Sequence, residues 1–170
     1  MIAVCGPNEP NQDELDLAEQ VGRAIAESGS TLVCGGRGGV MEAACRGAKR
    51  AGGVTIGILP GYDPDEANEW VDYRILTGLG HARNAIVVAS GDAVIAVGGG
   101  FGTLSEIGLA LKMRKRVINL ASWELDPSRL ARFAADADYV PAATAEQAVA
   151  MALSSVRSDL RPGTSPSGHG

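Results

Sequence analysis

The chain has 170 residues, 45% of them apolar, which is the size and composition of one domain with a sizeable core. Fifteen Lys and Arg against twenty Asp and Glu give a net charge of −5, which argues against a general DNA- or RNA-binding surface. No unbroken apolar stretch reaches the ~18 residues of a transmembrane helix, and Met1-Ile2-Ala3-Val4-Cys5 has neither the basic start nor the cleavage pattern of a signal peptide.

Glycine is the unusual feature, at 23 residues, about twice the ordinary share of roughly 7%. Aromatics are only 4%, so tight turns and close backbone approaches are expected more than large aromatic pockets. Three cysteines without CxxC spacing point to no disulfide framework and no metal site. A reduced, cytoplasmic setting is expected.

Ile2–Cys5 reads as a buried strand ending at Gly6-Pro7. Asn11 with Glu14 three residues on forms a capping-box pattern, and Leu15, Ala18, Val21, Gly22 and Ile25 follow at helical spacing. That helix ends near Ser28-Gly29. Residues 31–34 read as the next strand, 40–51 as a helix and 54–59 as a third strand. Residues 62–70 have no period and read as a loop, with a short strand at 72–76 and a helix at 82–89. A strand of small and β-branched residues at 93–97 leads into a helix at 104–113. A strand at 117–120 follows, then loop and a short helix, an edge strand at Tyr139-Val140 and a helix at 145–156. Residues 158–170 are rich in Pro, Gly and Ser and are expected to be a disordered tail behind a domain of residues 1–157.

Strands alternate with helices and are continuously apolar, as when both faces are covered. The prediction is therefore a single α/β domain, a Rossmann-like three-layer fold with a doubly wound parallel sheet. Ligands in such sheets bind at the carboxyl ends of the strands, where the strand order reverses.

Gly35-Gly36-Arg37-Gly38-Gly39 and Gly98-Gly99-Gly100-Phe101-Gly102 both follow a strand and precede a helix. Glycine allows close approach of the backbone, and a helix start offers unpaired N–H groups, so each cluster is a candidate phosphate site. Neither fits GxGxxG or GxxxxGK[ST], which demotes dinucleotide dehydrogenases and P-loop NTPases. Serving only as tight strand-to-helix turns is the plain alternative for both.

The second cluster continues as Thr103-Leu104-Ser105-Glu106. This stretch resembles the Lonely Guy proteins, whose motif is Pro-Gly-Gly-x-Gly-Thr-x-x-Glu, with Gly98 at the motif's first position. Gly35 to Glu42 is similar to the family's first Gly-rich stretch, and His81-Ala82-Arg83-Asn84 to its His-x-Arg-Lys segment, with Asn84 in place of Lys. The Arg-Asn pair, the triple glycine and the short length look closer to a sister branch, which holds molybdenum-cofactor carrier proteins and relatives of the DNA-processing protein fold.

The resemblance implies Arg83 and Glu106 as catalytic residues of a nucleoside 5′-monophosphate phosphoribohydrolase. It implies a phosphate site from Gly36, Arg37, Gly38, Gly39, Asn84, Gly99, Gly100, Phe101, Gly102 and Thr103. It also implies a homo-oligomer, dimer or tetramer. The non-catalytic alternative is a carrier of the molybdenum cofactor or a nucleotide sensor. No cofactor is required for the hydrolysis; a bound nucleotide or molybdenum cofactor is the expected small-molecule partner, with no nucleic acid and no membrane.

Each residue also has a plainer role. Thr103 and Glu106 fit a capping box at a helix start, worth about 1 kcal/mol. Arg83 lies near a helix start, where a cation is disfavoured, so a phosphate or carboxylate partner explains it better. Paired with Glu106 across the pocket, it would hold that carboxylate ionised. Arg37 either binds phosphate or faces solvent, and Glu42 suits a helix's first turn. His81 and Asn8 are further contact candidates, and Cys5 and Cys34 read as small buried residues. A lysine-based pyridoxal chemistry, once attached to such sequences, is rejected: Lys49, Lys112 and Lys115 all lie away from the glycine loops.

Overall fold

Seven short strands run parallel in the order β4-β3-β2-β1-β5-β6-β7. A computed structural model describes residues 1–159. The strands are β1 (Ile2–Cys5), β2 (Leu32–Cys34), β3 (Thr55–Leu59), β4 (Tyr73–Leu76), β5 (Ala93–Val97), β6 (Arg116–Leu120) and β7 (Tyr139–Pro141). The helices are α1 (Gln12–Glu27), α2 (Val40–Arg50), α3 (Asn84–Ser90), α4 (Phe101–Lys112), α5 (Pro127–Phe133) and α6 (Ala145–Asp159). The predicted Rossmann-like α/β fold with a doubly wound parallel sheet is therefore what forms. The tail expected at 158–170 lies, from residue 160 on, outside the described residues.

The strand period of two divides the core into two layers. Ile2, Val4, Leu32, Ile95 and Ile118 pack under α1, α2 and α6. Ala3, Cys5, Val33, Val94 and Val117 face the other way, onto Val87 and Val88 of α3 and Ile107 and Ala110 of α4. Both sets are buried, which is why the strands read as unbroken apolar runs. Strand β1 pairs with β2 on one side and with β5 on the other. The order of strands reverses there, so a crevice opens above the ends of β1 and β5.

The capping box at α1 is present: the Glu14 N–H donates to Asn11 Oδ1 at 2.9 Å, and the Asn11 N–H to Glu14 Oε2 at 2.9 Å. Two predicted helix starts are corrected. The helix placed at 82–89 is a 3-10 turn, Gly80–Arg83, running into α3. The helix placed at 104 begins three residues earlier, at Phe101, with Gly100 in extended backbone as its N-cap. A glycine N-cap is nearly as acceptable as a polar one, so the apolar period alone misplaced this start. Thr103 therefore lies inside the first turn, and the Thr103–Glu106 capping box does not form.

Candidate functional site

The crevice above β1 and β5 is an open cavity of about 450 Å³. Its wall comes from the loop after β1 (Gly6, Pro7, Asn8, Glu9), Arg37 and Met41 after β2, and Pro60 after β3. Gly80, His81, Arg83 and Asn84 close a second side, and Gly100, Gly102, Thr103 and Glu106 the third. Each segment follows the carboxyl end of a strand, or begins the helix behind it.

Arg83 and Glu106 meet in the floor. Arg83 is 8% exposed and Glu106 6%. Arg83 Nη1 lies 3.8 Å from Glu106 Oε1, an ion pair too long for a hydrogen bond. The guanidinium lies flat against Gly35, where a Cβ would collide with it, so glycine is required there for the close approach. Neither Nε nor Nη1 of Arg83 has a hydrogen-bond partner, although both are buried. A buried guanidinium with two orphan donors is costly in isolation and is a strong receptor for an anion.

Burial pushes the Glu106 carboxyl up to about 7, against the pull of the Arg83 charge and a hydrogen bond from the Cys5 thiol. The expectation that Arg83 would hold Glu106 ionised is thus corrected: desolvation outweighs a partner that sits 3.8 Å away. Cys5 itself is pushed well up by burial and then by Glu106. A carboxyl that changes charge near neutrality can give or take a proton, or accept an anionic neighbour by staying protonated.

Helix α4 points its first turn at the cavity. The N–H groups of Phe101, Gly102 and Thr103 precede the first intrahelical donor, Leu104, which bonds Gly100 O at 2.9 Å. No acidic residue lies in that turn to compete for them. Thr103 is 1% exposed and its Oγ1 has no partner. Asn84 reaches across to the same helix, its Nδ2 donating to Ser105 Oγ at 3.1 Å, and Ser105 Oγ donates to Gly102 O at 2.7 Å. At the loop's entry Gly98 takes φ +64, a backbone that proline cannot adopt.

Of the residues expected to bind ligand, Arg37, Arg83, Asn84, Gly100, Gly102, Thr103 and Glu106 converge on the cavity. The expected glycines of the first cluster, Gly36, Gly38 and Gly39, do not line it. Gly36 packs on Gly57, and Gly39 on the carbonyls of Pro7 and Asn8. Pro7 O also accepts the Val40 N–H, so the first donor of α2 is already used. Gly99 faces Trp123, and the Phe101 ring, 85% exposed, leans on the same indole. Pro60 and Glu9 join the wall without having been singled out in the sequence. Position immediately after a strand's carboxyl end was the available signal for Pro60.

A family model described as SLOG cluster4 matches residues 1–150. The chain belongs to the SLOG cluster4 family. Among solved structures, the molybdenum cofactor binding protein of Rippkaea orientalis superposes with a TM-score of 0.83 at 44% identity, covering 91% of this chain and 96% of that one. The molybdenum cofactor carrier protein of Chlamydomonas reinhardtii superposes with a TM-score of 0.81 at 38% identity, covering 92% of this chain and 97% of its own. The cytokinin riboside 5′-monophosphate phosphoribohydrolase of Mycobacterium tuberculosis is 36% identical over 106 residues, 61% of this chain. The aligned part spans only 57% of that relative's length. This SLOG protein thus resembles both the Lonely Guy enzymes and the molybdenum-cofactor carriers. None of its helices, among the described residues, is long and apolar enough to cross a membrane.

Proposed function

We propose that the crevice binds the phosphate of a nucleotide-like cofactor and carries it without turnover, the molybdenum cofactor being the cargo. The observation that carries this reading is the buried Arg83 guanidinium with no hydrogen-bond partner on Nε or Nη1, in the same cavity as an orphan Thr103 hydroxyl at the start of α4. Together they make a three-sided receptor for a tetrahedral anion. A volume of about 450 Å³ leaves room for a fused ring beyond the phosphate. Among the described residues no group of three or more His, Cys, Asp and Glu is placed to hold a metal ion. The near full-length likeness to molybdenum-cofactor proteins at 38% and 44% identity supports carriage.

A second reading, hydrolysis of the N-glycosidic bond of a nucleoside 5′-monophosphate, is favoured by the Arg83–Glu106 pair. Glu106 near neutrality would take a proton from water as its oxygen bonds the anomeric carbon. The water oxygen forms the new bond to that carbon while the carbon's bond to the base breaks, and the base leaves with the proton that Glu106 took from the water. Exposed Tyr73, Ile75 and Leu76 on the edge strand β4 support the expected homo-oligomer, which light scattering would measure.

The deciding experiment is purification from cells that make the cofactor, followed by elemental analysis for molybdenum and by incubation with AMP. Stoichiometric molybdenum lost in Arg83→Ala, with no adenine released, is the expected result. Adenine release abolished by Glu106→Gln, with no molybdenum retained, would overturn carriage in favour of the enzyme.

A further inference from the structure

The anion-binding turn has no stiffness of its own. Gly98, Gly99 and Gly100 are consecutive glycines, and each adds backbone freedom that must be lost when an anion is gripped. Yet the turn must present the first N–H groups of α4 in one direction. Something outside it must hold it.

Trp123, in the loop after β6, does so. Its indole Nε1–H donates to Gly100 O at 3.2 Å. A Cβ on Gly99 would come within 3.3 Å of the same nitrogen, so the ring lies flush against the turn. The Phe101 ring closes over it with centroids 6.1 Å apart. Pro7 is the neighbour that a Cβ on Gly100 would meet, at 3.7 Å. The backbone that carries the indole is itself anchored: Asn119 Nδ2 donates to Trp123 O at 3.1 Å, and the Tyr139 hydroxyl donates to the same carbonyl. The chain bends to deliver it. Ala121 takes φ +54, unusual for a residue with a Cβ, and the Ser122 N–H is held by Asn119 Oδ1 at 2.7 Å.

Resting on the anion-binding reading above, the structure assigns Trp123 as a positioning residue that clamps the Gly98–Gly100 turn and so sets the affinity for phosphate. It does not itself line the cavity and acts through Gly100, which does. Its indole reports on the site, because an anion on the first turn of α4 changes the field at a ring bonded to that turn's N-cap.

The test uses the full chain with AMP and inorganic phosphate as probes, and adenosine as the control without phosphate. Calorimetry compares wild type with Trp123→Phe, which keeps a ring and removes the N–H donor. The expected result is an unliganded melting temperature close to wild type and binding of AMP about tenfold weaker. Trp70→Phe leaves Trp123 as the remaining tryptophan, and its emission is expected to shift with AMP, not with adenosine, along the calorimetric isotherm. That measurement decides the matter even if Trp123→Phe does not fold. Equal AMP affinity in wild type and Trp123→Phe, or Trp123 emission indifferent to bound AMP, would overturn the clamp and leave the anion site standing. A wild type that binds neither AMP nor phosphate overturns the pocket reading and the clamp with it.

Discussion

Replacing Glu106 by Gln removes a carboxyl that folding has forced into the floor of the cavity. Folding raises this group from 4.5 to about 7. Between those values the folded chain holds a proton that the unfolded chain has released, so stability falls as pH rises. The contribution is fully present below pH 4.5 and is lost as pH passes through about 7. Each pH unit between them is worth about 1.4 kcal/mol, so the whole effect is about 3 kcal/mol. Integrated from pH 5 to pH 8 it is about 2.5 kcal/mol, which for a chain of this size is roughly 5–10 °C of melting temperature.

Gln has the same shape and no charge to desolvate. The attraction of Arg83 for the ionised carboxylate is already contained in the shifted value, since Glu106 carries its charge only as pH passes through about 7. The diagnostic quantity is therefore the difference in stability between wild type and Glu106→Gln, measured by urea unfolding at several pH values. The variant should gain on wild type steadily from pH 5 to pH 8. A difference that stays flat across that range would show that burial does not hold Glu106 protonated, and the account of the cavity floor would fall with it.

Thr103→Val removes an unpaired buried hydroxyl without changing its shape. The unliganded protein should be unchanged or more stable by about 1 kcal/mol, while phosphate affinity drops about tenfold; thermal melting and calorimetry on one preparation separate the two. Gly98→Pro forces φ from +64 to the proline value and drives ring atoms toward the Glu14 carboxylate, so a loss of about 3 kcal/mol or more is expected in denaturant unfolding. Asn11→Ala removes the side-chain acceptor at the start of α1 and should cost about 1 kcal/mol with no change in ligand binding. Equal losses of AMP affinity and stability in that last variant would mean that α1 is part of the site.

Much of this protein was legible in the order of its residues. Apolar runs of four or five residues alternating with 3.6-residue periods are a local property, and they specified a parallel sheet covered on both faces. Asn11 and Glu14 announced their helix because a capping box is made within one turn. Arg83 and Glu106 stood out through motif resemblance, and both converge on the crevice.

Other features belong to distances along the chain that no local pattern spans. The first glycine cluster reads like a second phosphate loop, yet Gly36 is filled by Gly57 of β3 and Gly39 by the Pro7 and Asn8 carbonyls of the loop after β1. The start of α4 moved because a glycine N-cap leaves no polar signature, and with it Thr103 went from a capping position to an unpaired buried hydroxyl inside the first turn. Trp123 lies 23 residues from the glycine it holds. The charge state of Glu106 depends on how deeply it is buried and on a guanidinium 3.8 Å away, which sequence can pair but cannot measure. Periodicity and turn chemistry act over a few residues and so determine which strands and helices form. Desolvation, close packing and hydrogen bonds across the sheet act between residues far apart in the chain, and only the assembled fold decides them.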